Sequence, residues 1–260
     1  MLLELLFMML FDIFHQTMKS FALHEINNSV PMWLFDDPLA LSLLKFISVP
    51  PKSSKNREIY SSAFVTTEGK ILSIARNMQI LKNEGWKIRQ GYANHAEMMA
   101  YCVADLVTPG NIQGYIYVIG FISENEIFIH KKKTIGDDIK SERFTCTLCA
   151  KKVCEHQING IAIPTAMGWK KLEAKNALAT AQSFHNEVEN GNNNSRKNES
   201  LNFSNESVIK LVNHLKKTNP KKLIQLLEKN FELNQTVVKI IKAANDGYVS
   251  TKNYKKIVLK

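Results

Sequence analysis

Residues 113–122 read Gln-Gly-Tyr-Ile-Tyr-Val-Ile-Gly-Phe-Ile, a continuous apolar run near the middle of the 260-residue chain. Such a run predicts a strand that is buried on both faces, in the middle of a sheet covered by helices. Upstream, residues 59–67 and 71–75 are rich in β-branched and aromatic side chains and flank a short turn, which predicts a β-hairpin. Downstream, residues 158–164 predict a further strand. The sequence therefore indicates an α/β domain.

Possible metal ligands lie at the starts of two predicted helices, one before this strand in the sequence and one after it. Asn94 is a suitable N-cap for the first helix, and His95 and Glu97 follow it. Cys146 and Cys149 begin the second helix, and their i, i+3 spacing puts both sulfurs on one face. One imidazole and two thiolates supply three ligands for a tetrahedral zinc and leave the fourth position to water, which is typical of a catalytic site. Glu97 is then a carboxylate beside that water, able to transfer its proton.

These motifs, His-x-Glu followed by Cys-x-x-Cys, resemble the signature of the zinc-dependent cytidine and deoxycytidylate deaminase superfamily. The resemblance covers about residues 57–187. It implies a cytidine-deaminase-like α/β/α sandwich around a mixed sheet, with Zn²⁺ held by His95, Cys146 and Cys149. It also implies hydrolysis of a cytosine-type base to uracil with release of ammonia, in which Glu97 carries the protons.

Further expectations come from the same resemblance. Asn77, at the end of the second predicted strand, matches by position an asparagine that contacts the base or sugar of the substrate in the family. Thr145 precedes the first cysteine, where the family usually has proline. The interval between the two motifs is longer than usual because residues 123–143 form an insertion, which predicts a hairpin or flap close to the metal. His130 in this insertion is an alternative fourth ligand, although a histidine beside three lysines is more often a surface residue.

The sequence leaves the substrate open between two classes. Trp169 and an alanine-rich helix predicted to begin there are similar to the deoxycytidylate-type branch, which favours a free nucleotide such as dCMP. A basic C-terminal segment favours single-stranded nucleic acid instead. A Cys-x-x-Cys pair also suits a redox pair or a structural zinc site, so the alternative is a non-catalytic nucleic-acid-binding protein with structural zinc. Glu97 argues against that alternative, because a structural site has no use for an unligated acid.

The positive charge of the chain is concentrated in its last quarter. The formal net charge is +10, and residues 201–260 hold twelve lysines, no arginine and four acidic residues, a net +8. This asymmetry predicts contact with a polyanion through a basic helical module at residues 205–260. Its helices are predicted to begin near Asn205, at Pro220 after the cap Asn219, and near Asn234. The alternative role of this module is packing or oligomerisation, and we expect a homo-oligomer.

Two segments flank the predicted deaminase domain at residues 57–187. Residues 1–56 form a predicted N-terminal helical segment in which Pro38 begins a helix, and residues 188–204 form an asparagine-rich linker. The apolar start lacks the basic residues of a signal peptide and is too short to cross a bilayer, so we expect no membrane association. Met18 is an alternative start. Four cysteines, two of them assigned to zinc, indicate a reducing, cytoplasmic location.

Overall fold

The computed structural model describes residues 30–47, 59–77, 95–110, 112–123, 126–128, 131–135, 138–143, 145–165, 167–184, 205–245 and 251–258. The helices in these ranges are α1 (Trp33–Asp36), α2 (Pro38–Ile47), α3 (Ala96–Val107), α4 (Thr147–Glu155), α5 (Ala174–Phe184), α6 (Asn205–Lys217), α7 (Pro220–Glu228), α8 (Gln235–Asn245) and α9 (Thr251–Val258). The strands are β1 (Ile59–Thr66), β2 (Lys70–Arg76), β3 (Gly114–Ser123), β4 (Glu126–Phe128), β5 (Lys131–Ile135), β6 (Asp138–Arg143), β7 (Gly160–Thr165), β8 (Gly168–Glu173) and β9 (Glu232–Leu233).

The main sheet is mixed and has the predicted apolar strand in its middle. Within the described ranges, strands lie side by side in the order β8-β7-β3-β1-β2-β9, and β4 also pairs with β3. β1 pairs antiparallel with β2 and with β3, whereas β3 pairs parallel with β7. The predicted β-hairpin is confirmed as β1 and β2, and the predicted central strand is confirmed as β3.

Side-chain alternation along β3 divides the core between the two faces of the sheet. Ile116 and Val118 belong to a cluster that includes Met98 of α3 and also contains residues of α4. Tyr117 and Ile119 belong to a second cluster, together with α2 and the C-terminal helices. Helices therefore pack around a mixed sheet, which is compatible with the predicted α/β/α sandwich.

The helix start predicted at Pro38 is confirmed. Asp37 precedes α2, and its Oδ1 accepts a hydrogen bond from the backbone N–H of Ala40 at 2.7 Å. This bond satisfies one of the N–H groups that a helix leaves unpaired in its first turn. The apolar residues 1–29, including Met18, lie outside the described residues.

The helix predicted to begin at Trp169 is wrong, because residues 168–173 form strand β8 and α5 begins at Ala174. Gly168 has a φ of +124°, a conformation that favours glycine, and it lets the chain turn back after β7. The Thr165 hydroxyl donates to the Gly168 carbonyl at 2.9 Å and closes this turn. Trp169 then lies opposite Pro164 in an antiparallel pair. The alanine-rich helix itself is present as α5, with a later start than predicted, and the similarity to the deoxycytidylate-type branch stays a prediction.

The insertion at residues 123–143 contains the predicted hairpin. β5 and β6 pair antiparallel in a separate two-stranded sheet, and β4 pairs with the end of β3. Whether this hairpin lies close to a metal stays a prediction. His130, the alternative fourth ligand, lies outside the described residues.

The three helices predicted in the C-terminal segment are confirmed as α6, α7 and α8. Asn219 caps α7 as predicted, since its Oδ1 accepts from the backbone N–H of Lys221 at 2.8 Å. Asn234 caps α8 in the same way, accepting from Thr236 at 2.8 Å. The sequence reasoning missed the short strand β9, which pairs parallel with β2, and the helix α9.

The C-terminal helices share one hydrophobic core with the sheet and with α2. Their apolar side chains join the cluster that contains Leu39 of α2 and Val65 of β1. Tyr254 of α9 is only 1% exposed, and its hydroxyl donates to the backbone carbonyl of Ile74 in β2 at 2.7 Å. The division into segments 1–56, 57–187, 188–204 and 205–260 stays a prediction. None of the helices in the described ranges has the length and apolar character needed to cross a bilayer.

We expect Tyr254→Phe to lower the free energy of unfolding by about 1–3 kcal/mol, because it removes a buried hydrogen bond and leaves the Ile74 carbonyl without that donor. Urea denaturation of both proteins measures the difference. Tyr115→Phe is the matched control, since the Tyr115 hydroxyl bonds Glu173 at an exposed position and its removal should cost no more than about 0.5 kcal/mol. Equal effects of the two variants would show that α9 is not anchored to the sheet in this way.

Candidate metal centre

The ends of two helices supply the candidate ligands. His95 is the residue before α3, in extended conformation (φ −91°, ψ 134°), and its carbonyl accepts the N–H of Met99 at 3.0 Å. The helix cap is therefore His95 itself, one residue later than the predicted cap Asn94, which lies outside the described residues. α3 is fixed to the sheet by Ser73 of β2, whose hydroxyl donates to the Ala100 carbonyl at 2.5 Å.

Cys146 occupies the equivalent capping position of α4. Its sulfur accepts a hydrogen bond from the backbone N–H of Cys149 at 3.4 Å, where a side-chain oxygen usually serves. Cys149 is fully buried against the sheet cluster that also contains Val153 and Ile116. The i, i+3 spacing thus brings both sulfurs to the first turn of one helix, as predicted.

The donor atoms of His95, Cys146 and Cys149 form one compact cluster, in which all lie within 4.8 Å of one another. His95 Nδ1 is 3.4 Å from the Cys146 sulfur and 3.3 Å from the Cys149 sulfur. With Zn–S near 2.3 Å and Zn–N near 2.0 Å, tetrahedral coordination separates sulfur and nitrogen by about 3.5 Å. The spacing and the soft, borderline donor set therefore fit a zinc ion.

The protonation of the cluster favours one thiolate. Hydrogen bonds with Cys149 and with His95 lower the pKa of Cys146 to about 4, against the effect of burial. The hydrogen bond with Cys146, together with burial, raises the pKa of Cys149. The hydrogen bond with Cys146 also raises the pKa of His95 to about 8. At neutral pH, His95 and Cys149 thus hold protons that a metal ion must displace.

A buried carboxyl group lies beside this cluster. Glu97 is 7% exposed in the first turn of α3, and Thr145, 6% exposed, donates a hydrogen bond from its hydroxyl to Glu97 Oε1. Burial and the charge of Cys146 raise the pKa of Glu97, while the Thr145 hydrogen bond and the His95 charge oppose the shift. Glu97 is not one of the three clustered ligands, so it remains an acid next to the candidate metal position.

Asn77 lies at the end of β2 and is engaged with β1. Its Oδ1 accepts the backbone N–H of Tyr60 at 3.0 Å, and its own N–H donates to the Tyr60 carbonyl at 3.1 Å. The structure does not place Asn77 in the ligand cluster. Its contact with a substrate stays a prediction.

The structure thus brings the three predicted ligands together, with the predicted acid beside them. The cap residues of the two helices, His95 and Cys146, are 51 positions apart in the chain. Sequence reasoning missed the part played by Thr145. The only signal was a hydroxyl side chain directly before the first cysteine.

No protein-family model, no curated protein and no solved structure matches the chain. What the structure itself defines is an α/β protein with a His-Cys-Cys cluster that could hold a metal ion, with donors that suit zinc.

We expect one zinc ion per chain, and Cys149→Ala should release nearly all of it, because two donors remain where three were clustered. Elemental analysis after gel filtration measures the zinc content. Cys154→Ala is the matched control: Cys154 lies on the same helix outside the cluster, so its replacement should leave the zinc content unchanged.

The zinc affinity of the wild type should rise with pH, more steeply below the His95 pKa of about 8, where His95 and Cys149 both hold a proton that zinc must displace, than above it, where only Cys149 does. Calorimetry in buffers of different ionisation enthalpy counts the protons released. A full zinc complement in Cys149→Ala, or an affinity that is independent of pH, would contradict the ligand assignment.

Proposed function

We propose that the chain is a zinc-dependent hydrolytic deaminase of a cytosine-type base. The observation that carries this proposal is the buried Glu97, which stands beside a three-ligand cluster without belonging to it. Structural zinc sites are almost always closed by four protein ligands, whereas catalytic sites have three and keep one position open. In the described part of the chain the cluster has three. The mixed sheet with helices packed around it is compatible with the cytidine-deaminase-like sandwich that this proposal requires.

The residues divide the reaction between binding and proton transfer. His95, Cys146 and Cys149 would hold the zinc ion, which when bound supplies Lewis-acid activation of a water molecule at neutral pH. Glu97 takes a proton from the water molecule as the water oxygen adds to C4 of the base. Glu97 then gives that proton to N3. It then takes the remaining proton of that water, now on the C4 hydroxyl, and gives it to the amino group as the C4–N bond breaks and the C4 carbonyl forms. The products are a uracil-type base and ammonia.

We expect Glu97→Gln to bind zinc but to reduce deamination by at least about 10²–10⁴-fold, because glutamine keeps the shape of glutamate and cannot exchange protons. Ammonia release from cytidine, deoxycytidine, their monophosphates and single-stranded RNA and DNA measures the activity. Glu155→Gln is the control, since Glu155 pairs with Lys151 and Lys152 on the surface of α4.

Activity of Glu97→Gln within about tenfold of the wild type would remove Glu97 from the mechanism. A wild type that binds zinc, unfolds when zinc is removed and deaminates no substrate of the panel would favour the alternative, a nucleic-acid-binding protein with structural zinc.

We further propose single-stranded nucleic acid as the substrate, contacted by lysines of the C-terminal helices. The apolar faces of these helices are in the core, and exposed lysines occupy the opposite faces. Four of them, Lys216, Lys217, Lys221 and Lys222, surround the turn between α6 and α7. Lysine without arginine favours phosphate contact over base recognition. The homo-oligomer and the cytoplasmic location remain expectations of the same proposal.

Because the C-terminal helices share the core, their deletion would disrupt the fold, so surface substitutions are the appropriate test. We expect Lys221→Gln/Lys222→Gln to weaken binding of single-stranded RNA or DNA. The slope of log affinity against log salt concentration should become shallower by roughly 0.7 for each phosphate that is no longer neutralised. Turnover of a free nucleotide should not change.

The matched control for this surface is Lys170→Gln/Lys175→Gln, which removes the same charge from β8 and α5 and should bind normally. Equally weakened binding in both double variants would indicate a general charge effect, and the turn between α6 and α7 would then not be the binding site.

A further inference from the structure

We propose that Thr145 is a positioning residue that orients the Glu97 carboxylate for proton transfer, an inference that rests on the proposed deaminase function. The Thr145 hydroxyl donates a hydrogen bond to Glu97 Oε1. Both side chains are buried, with 6% and 7% of their surface exposed. Water therefore competes little for this bond, and a hydrogen bond in such surroundings holds its partners more firmly than one at the surface.

The hydrogen bond joins the two ligand-bearing segments of the chain. Thr145 directly precedes Cys146, and Glu97 lies two residues after His95. His95, Cys146 and Cys149 would be fixed by their common ion, whereas Glu97 is not in that ligand set. The orientation of its carboxylate must come from other contacts, and the Thr145 hydroxyl supplies one whose position is tied to Cys146 by a single peptide bond.

The side chain of threonine is essential to this role. Proline, the residue that the resembled signature has before its first cysteine, carries no hydrogen-bond donor. Proton transfer requires that the heavy atoms approach to about 2.6–3.2 Å, so a carboxylate that rotates freely spends less time in productive geometry.

The test compares Thr145→Val, which keeps the shape and removes the hydroxyl, with Thr145→Ser, which keeps the hydroxyl. We expect kcat of Thr145→Val to fall by up to about 10²-fold, the effect of a misplaced catalytic group. KM and zinc content should not change, because Thr145 acts through Glu97 and touches neither substrate nor metal. Thr145→Ser should restore most of kcat. Thr145→Ala removes the hydroxyl without adding bulk and replaces the valine variant if that variant does not fold.

A folded, zinc-loaded Thr145→Val or Thr145→Ala with wild-type kcat would overturn the inference. So would a Thr145→Ser variant as inactive as Thr145→Val, because a merely structural role depends on the methyl group and the volume rather than on the hydroxyl.

A second readout does not depend on activity. Denaturation of the zinc-loaded protein gives a double-mutant cycle for Thr145→Val and Glu97→Leu, and the destabilisation caused by Thr145→Val should shrink when Glu97 no longer offers an acceptor. If the wild type deaminates no substrate, the proposed function has failed, and the double-mutant cycle alone tests whether Thr145 positions Glu97. A coupled pair then supports the positioning of Glu97 by Thr145, and additive effects refute it.

Discussion

The candidate metal centre depends on two helices beginning at the same place. α3 follows the β1–β2 hairpin and α4 follows β3 and the inserted hairpin, so no local rule of sequence brings their first turns together. The sheet does so, because Ser73 fixes α3 to β2 while Cys149 and Val153 of α4 pack with Ile116 of β3. Interiors are packed to crystal-like density, so neither helix can shift by the length of a bond without disturbing the other. Ligand geometry is in this sense a product of core packing.

The electrostatics of the site follow from the same convergence. Each helix directs its positive end toward the cluster, and backbone N–H groups there can stabilise a sulfur anion, as the N–H of Cys149 does for Cys146. Cys149 keeps its proton next to this thiolate, since two neighbouring thiolates in a buried site would repel each other. A divalent cation would relieve that repulsion, so this donor set could hold a metal ion.

Elements with a strong local signal were predictable from the sequence, and those defined by distant contacts were not. The β1–β2 hairpin turns at Gly69, which has a φ of +84°, and α7 begins with Asn219 and Pro220, both local signals that a sequence displays. Residues 168–173 were misassigned because a six-residue strand running directly into a helix has too few residues to establish its own period. The hydrogen bond between Thr145 and Glu97 joins residues 48 positions apart, and the sequence around neither residue predicts this contact.

The contact between Tyr254 and Ile74 has a consequence for how the protein is made. The two residues are 180 positions apart, so β2 leaves the ribosome long before the side chain that covers its backbone has been synthesised. β9, which pairs with the start of the same strand, also appears late. During translation β2 is therefore an open strand edge of apolar sequence, the kind of surface that pairs with other chains. Synthesis of β9 and α9, rather than emergence of β1 and β2, is the step at which this strand edge becomes covered.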